Sequence, residues 1–485
     1  MKLLFTVGLE VHVQLKTRSK MFCACPTGPG APPNSQVCPV CLGYPGTLPV
    51  MNGEAVRLTA MTGLMLGCTI NPYSKFDRKN YFYPDMPKNY QISQYDRPLC
   101  LDGGVDIDVG GRFKTVRLTR IHLEEDVGKC IHHGRRSGVD CNRAGVPLME
   151  IVTEPDMESA DEAFAFLLAL KQMLLYLGVS DCNLEEGNLR CDVNSSVRPE
   201  GQAELGTKVE IKNLNTFKGV HQALLYELER QTEAVRTGER IVQETRRWDA
   251  ESGATCPMRS KEQAHDYRYF PEPDLMPVVL PAATIDAWRA ALPELPRQKR
   301  RRFVEQYGLP EYDAGVLAAQ KAVADYFEAA AAGSSHPKLI SNWVMTEMLR
   351  LLTEREMEIG QVRVTPAALR DLAALAAGGA INSNTAKAVF AILFEQGGDP
   401  AAVVAANGWG QVSDDGAINA LVDQVIAENA KSVEDYRRGK AAALKFLIGQ
   451  VMRLSRGKAN PQMAGEKLVQ RLGGPTDGAP AGSVT

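Results

Sequence analysis

The sequence predicts an α+β fold: a mainly antiparallel β region comes first, and helices follow. Three observations carry this. From residue 1 to about 290, short apolar runs alternate with polar residues at period two between Gly/Pro turns, which is strand patterning. Beyond Leu292-Pro293-Glu294-Leu295-Pro296 and the basic run Arg297 to Arg302, the chain becomes rich in Ala and Leu with helical period. A length of 485 residues exceeds what one core organises, so several domains are expected. The boundaries read from these breaks are 1–293, then a helical domain over 294–410, then a small helical tail domain over 411–473. Gly408-Trp409-Gly410 and Ser413-Asp414-Asp415-Gly416 mark the second break, and the Gly/Pro/Ser-rich residues 474–485 are expected to be disordered.

Within the first region the strand signal is unusual in what it carries. Glu10-Val11-His12, Ile121 to Asp126, Leu148-Met149-Glu150-Ile151-Val152, Arg190-Cys191-Asp192-Val193-Asn194 and Lys208-Val209-Glu210-Ile211-Lys212 each put acidic or histidine side chains into an apolar alternation. Solvent-facing strand positions take Thr, Ser and Lys as readily as Glu, so repeated single acids in such surroundings point to a polar site. Two bare carboxylates about 4 Å apart repel by roughly 4 kcal/mol at an effective dielectric near 20. Such a set must hold protons, pair with bases or bind cations, and oxygen-rich ligation suits Mg²⁺ or Mn²⁺. Between these strands, Ser159 to Leu177 and Gly219 to Thr237 read as the clearest helices.

Net charge is −3, which excludes a simple polybasic binder and assigns any nucleic-acid contact to a local patch. The segment 431–471 supplies one, with ten Lys/Arg against three acids. No apolar run reaches 18 residues and no signal peptide opens the sequence, so a cytoplasmic protein without a membrane partner is expected. In that compartment the eleven cysteines are thiols or metal ligands before they are disulfides. Cys23-Ala-Cys25 and Cys38-Pro-Val-Cys41-Leu-Gly43 have the spacing of a closed four-thiolate Zn²⁺ site, which clamps a loop and performs no chemistry. The other seven cysteines show no such spacing and read as core or near-core residues.

Residues 75–94 read as a loop dense in cations, amides and Tyr. Cations beside a carboxylate cluster are what a transferring phosphoryl group needs. There is no Gly-x-x-x-x-Gly-Lys-Ser/Thr sequence, so a nucleotide would be held by metals and strands, not by a P-loop. No nucleophile with a matched base announces itself either: Ser195-Ser196 lacks a matched Lys motif.

The ordered motifs Gly8 to His12, Lys75 to Gln94, His122 to Asp126, Asn142-Arg143, Leu189 to Asn194, Lys212 to Asn215 and Asp266 to Asp274 make the chain similar to the B-subunit family of the tRNA-dependent amidotransferases (GatB). The similarity continues through Ser432 to Tyr436 and Gly457 to Pro461. It implies a catalytic cradle related to glutamine synthetase, a helical domain and a tRNA-binding tail. It also implies ATP-dependent phosphorylation of mischarged Glu-tRNA(Gln) or Asp-tRNA(Asn), then amidation with glutamine-derived ammonia. The A and C subunits of such an enzyme would be partners, the first an amidase and the second small. Carried over residue by residue, the resemblance makes His12, Glu125 and Glu150 ligands of one Mg²⁺, and Glu10, Glu124, Asp192 and Glu210 a second cation site. Lys79, Lys88 and Arg190 are candidate ATP-phosphate contacts on charge and neighbourhood. Some members of the family lack the four cysteines. Two other readings are a small-molecule carboxylate–amine ligase, against which the basic tail stands, and a non-catalytic tRNA scaffold, which would not require the carboxylate array.

Overall fold

A computed structural model describes residues 2–184, 186–258, 267–410, 415–455 and 459–473. Asp266, Ser413, Asp414, Arg456, Lys458 and the segment 474–485, all of which belong to the sequence features above, lie outside the described residues. The chain divides between Pro296 and Arg297 into two compact units.

The first unit runs β1 (Leu3–Gln14), α1 (Gly53–Met65), β2 (Thr69–Ile70), β3 (Asp77–Asn80), β4 (Tyr90–Ser93), β5 (Cys100–Leu101), β6 (Gly104–Val109) and β7 (Arg112–Glu125). It continues through β8 (Pro147–Thr153), α2 (Ala160–Leu177), β9 (Leu189–Pro199), β10 (Val209–Lys212), α3 (Phe217–Thr237), β11 (Glu244–Asp249), β12 (Ala254–Pro257) and β13 (Phe270–Pro271). One ten-stranded sheet has the order β12-β11-β10-β9-β1-β8-β7-β5-β2, with β6 paired on β7. Its named pairs are antiparallel apart from β10 with β11. The five strands that carry the acids and histidines are therefore consecutive neighbours, β10-β9-β1-β8-β7.

Period two explains what each face does. Along β1, Leu9, Val11 and Val13 are buried while Glu10, His12 and Gln14 are only half-buried. The apolar row joins a core with Phe166, Leu167, Leu170 and Leu174 of α2 and Val220, Ala223 and Leu224 of α3. Both helices start on side-chain caps, Ser159 accepting from Glu162 N and Thr216 from Gly219 N. Gly178 ends α2 at φ 67°, a left-handed cap that suits glycine. The polar row is left for a site.

The segment 75–94 is not simply the loop expected from its charge. It contains β3 and β4, paired antiparallel from Asp77↔Ser93 to Asn80↔Tyr90, with β13 added at the outer edge of β3. Phe76 and Ile92 are buried, and that apolar pair holds the polar hairpin in place against the density of charge around it.

In the second unit, Phe303, Phe327, Leu369, Phe390 and Leu393 belong to one helical core. A separate core of Ile418, Val422, Leu447, Val451 and Leu468 is formed by the helices Asp415–Glu428, Ala430–Arg437, Ala441–Leu454 and Pro461–Leu472. Among the described residues no single helix is long and apolar enough to cross a membrane.

Candidate active site

Strand register builds the site. Arg190, His12, Glu150 and His122 stand directly opposite one another across β9-β1-β8-β7, and Asp192 stands opposite Glu10 in the adjacent row. Glu150 is the centre of the first row: His12 Nε2 lies 3.3 Å and His122 Nε2 3.4 Å from Glu150 Oε2. Glu124, two residues beyond His122 on the same face, brings Oε1 to 3.6 Å from His12 Nε2. Single ligand atoms of His12, Glu124 and Glu150 all lie within 4.8 Å of one another. Ligands of one octahedral Mg²⁺ at about 2.0–2.1 Å sit roughly 3–4 Å apart, so this donor set fits such an ion. His122 Nδ1 is buried without a hydrogen-bond partner in this polar pocket.

The grouping differs from the one expected. Glu124, not Glu125, joins His12 and Glu150, because Glu125 is one residue further along β7 and faces the other way. The Glu125 carboxylate instead takes an ion pair from Lys88 and a 2.9 Å hydrogen bond from Ile92 N, while Gln91 Nε2 donates to its backbone carbonyl at 2.6 Å. The second expected set is divided by a cation: Lys212 Nζ sits 2.8 Å from Asp192 Oδ2 and 3.1 Å from Glu210 Oε1. Glu210 also accepts from Thr245 Oγ1 at 2.7 Å, and Glu10 accepts from Asn194 Nδ2 at 2.9 Å.

Electrostatics follow from this packing. Burial works against the charge on His12, but Glu150 and then Glu124 outweigh it and raise the imidazole to about 9. Burial opposes the charge on Glu150 too, yet His122 and His12 hold it well below the usual carboxylate range. Lys79, Nζ 5.0 Å from the Tyr267 ring centroid, is raised against its burial by Glu124, Tyr269 and Glu150, so it stays cationic. Burial pushes Tyr269 up to about 12. Asp126 is buried, and Arg190 and Arg143 lower it despite that. Arg190 Nη2 lies 2.9 Å from its Oδ1, and Gln14 Nε2 donates to its Oδ2 at 2.8 Å.

Asp126, His122 and Arg143 fall in stretches that the sequence singles out but receive no role there, and Gln14 falls in none of them. Asp126 could have been found by continuing the Glu124-Glu125 run; Gln14 from the i+2 alternation after His12. Ser195, weighed as a nucleophile, is buried in β9 and accepts from Gln231 Nε2 at 3.1 Å.

The four cysteines converge as their spacing predicts, with sulfur atoms within 4.8 Å of one another. Cys38 N donates to Cys41 Sγ at 3.2 Å, a knuckle contact. The buried Lys20 places Nζ 3.5 Å from Cys41 Sγ and 3.3 Å from the Cys141 carbonyl. A hydrogen bond from Cys23 first, with Lys20 adding to it, draws the Cys41 thiol down to about 4. A buried ammonium against clustered sulfur offsets thiolate charge, and four converging thiols are a donor set that suits Zn²⁺.

Residues 5–286 match the family described as the GatB/GatE catalytic domain, and residues 325–472 match the GatB domain. The chain belongs to the GatB family. A relative from Caldanaerobacter subterraneus subsp. tengcongensis, the B subunit of an aspartyl/glutamyl-tRNA(Asn/Gln) amidotransferase, is 52% identical over 97% of this chain and 100% of its own. Relatives with that same description from Geotalea uraniireducens and Myxococcus xanthus are 52% and 51% identical, covering 98% and 96% of this chain and 100% and 98% of theirs. Within the GatB/GatE match, β10 to β7 with all their acidic and histidine positions are included, so the polar row belongs to the catalytic domain of this family.

Proposed function

We propose that this chain is the B subunit of an ATP-dependent, tRNA-dependent amidotransferase, and that the polar row on β9-β1-β8-β7 is where the carboxylate of mischarged Glu-tRNA(Gln) or Asp-tRNA(Asn) is phosphorylated and then amidated. The observation that carries the reading is the convergence of His12, Glu124 and Glu150 on one sheet face of a GatB chain, with Lys79 of the β3–β4 hairpin kept cationic by Glu124 and Glu150. His12, Glu124 and Glu150 would hold Mg²⁺, and a cation there supplies charge neutralisation between ATP and the acyl phosphate. Lys79 and Arg190 bind phosphate oxygens, Arg190 kept in aim by Asp126 and Asp126 by Gln14 and Arg143. Lys88, braced on Glu125, is a third phosphate contact at the edge of the site. Lys212 neutralises Asp192 and Glu210, so a second cation at Glu10, Glu124, Asp192 and Glu210 requires this lysine to move.

The carboxylate chemistry needs a leaving group, since a free carboxylate does not react with ammonia at neutral pH; phosphorylation provides it. Ammonia comes from glutamine through the amidase, the A member of the assembly, and a small C member completes it. We assign 1–293 to a cradle of the glutamine synthetase type, 294–410 to a helical connector and 411–473 to tRNA binding, in a cytoplasmic enzyme. The test supplies purified chain and partners with ATP, Mg²⁺, ammonium chloride and either mischarged tRNA. Amidated tRNA is the expected product, and its absence with both substrates refutes the reading.

Two outcomes follow for the metals. In metal-free protein His12 is raised from 6.5 to about 9, so its proton favours the folded form below pH 6.5 and that contribution is lost as pH climbs through 9. A cation must displace that proton. Binding of Mn²⁺ is therefore expected to release about one proton at pH 7 and to tighten by up to about tenfold per pH unit toward pH 9. Titration calorimetry in buffers of different ionisation enthalpy reads this directly, and pH-independent affinity would exclude His12 as a ligand. The cysteine cluster is expected to hold about one Zn²⁺ per chain, and Cys38→Ser to lower the melting temperature by several degrees. Elemental analysis with calorimetry checks both.

A further inference from the structure

The cysteine lobe and the Lys88–Glu125 pair share a wall. A cavity of about 220 Å³ is lined by Cys41 and Gly43 on one side and by Lys88, Tyr90 and Glu125 on the other. Gly43 ends the Cys38 knuckle at φ +69°; a Cβ there would collide with Lys88 Cγ and sit 3.2 Å from Lys88 Cα and 3.3 Å from its Cβ. The stem of Lys88 thus lies directly on the turn, while its ammonium is on Glu125. Gly145 makes a second close approach: a Cβ there would be 3.4 Å from Cys41 Cβ, 3.5 Å from Lys20 Cδ and 3.9 Å from Glu125 Oε2.

We propose that the four-cysteine lobe is a buttress for the Lys88–Glu125 pair, with Gly43 a positioning residue that sets where the Lys88 ammonium stands during amidation. This rests on the role given to Lys88 above. The contact with Gly43 is specific within its loop. Gly46, three residues on, also has positive φ at +83°, but a Cβ there meets nothing within 4 Å. Left-handed backbone alone accounts for Gly46, whereas Gly43 answers to both backbone and Lys88. A Cβ at position 43 therefore displaces Lys88, and with it the ion pair to Glu125, without altering a thiolate.

The test uses the assembled amidotransferase with ATP, Mg²⁺, mischarged tRNA and ammonium chloride, and compares Gly43→Ala, Gly46→Ala, Lys88→Ala and the Gly43→Ala/Lys88→Ala pair. Gly46→Ala measures backbone strain alone and is expected to stay within about twofold of the parent kcat. Gly43→Ala is expected to lower kcat on the order of 10- to 100-fold, with KM for tRNA and bound zinc unchanged. In the Lys88→Ala background the collision with Cγ is gone and only the 3.2 and 3.3 Å approaches to Cα and Cβ remain, so Gly43→Ala is expected to lose most of its effect and to cost no more than about threefold. If Gly43→Ala does not fold, Lys88→Ala must rescue it. Equal kcat for the two glycine variants, full additivity with Lys88→Ala, or no rescue overturns the proposal. A Lys88→Ala enzyme with parental kcat overturns the role of Lys88 itself, a failure read from that variant alone.

Discussion

Glu150→Gln is expected to abolish ATP-dependent activation of the mischarged carboxylate, by about 10³-fold or more, while leaving tRNA affinity within about twofold. The amide keeps the volume of the buried side chain and removes the charge on which the row depends. Both His12 and His122 point Nε2 at one oxygen of Glu150. Without that charge the imidazole of His12 loses its strongest anionic partner and the site loses one of two carboxylates that would hold the cation. The fold should survive, since Leu148, Met149 and Ile151 of the same strand carry the packing of β8. Single-turnover phosphate transfer, together with tRNA binding by the same preparation, separates the two effects. Near-parental turnover would remove Glu150 from the site.

Truncation after Gly410 is expected to weaken tRNA binding on the order of 10- to 100-fold at physiological salt, and to make the salt dependence shallower by about 0.7–0.9 in log–log slope for each phosphate no longer bound. The removed helices bury their own core, from Ile418 to Leu472, so the catalytic sheet retains its core when they go. They expose Lys431, Lys445 and Arg453, whereas Lys440 and Arg471 are paired with Asp435 and Asp423 at 2.9 and 3.0 Å. Activity at low tRNA should fall more than activity at saturating tRNA, because the binding energy removed comes from parts of the tRNA remote from the reacting end. Equal affinities and equal slopes would show that the tail does not contact tRNA.

Much of this architecture is legible in the residues. Alternation marks the five acid-bearing strands, and Ser159 with Gly178 frames α2 because a cap and a left-handed stop are local signals. The cysteine cluster is legible for the same reason: its thiols come in two short pairs. What depends on register is not. Adjacent Glu124 and Glu125 are indistinguishable by composition, and only the pairing Leu148↔Glu124 and Glu150↔His122 shows which carboxylate shares the face of His12. The grip of Arg190 on Asp126 joins residues 64 apart in sequence, and the insertion of Lys212 between Asp192 and Glu210 joins neighbouring strands. Charge density alone suggests a loop at 75–94, and burial of Phe76 and Ile92 makes it a hairpin.

On the function proposed, the face bearing His12, Glu124 and Glu150 activates a tRNA-borne carboxylate with ATP. The most direct measurement incubates the assembled enzyme with γ-labelled ATP, Mg²⁺ and mischarged tRNA in the absence of glutamine and ammonia, and follows label transfer. Labelled acyl phosphate is expected that depends on the mischarged tRNA, is consumed on adding ammonium chloride, and is missing in Glu150→Gln. Label transfer by Glu150→Gln at the parental rate, or none by the parent enzyme, would contradict the proposed function.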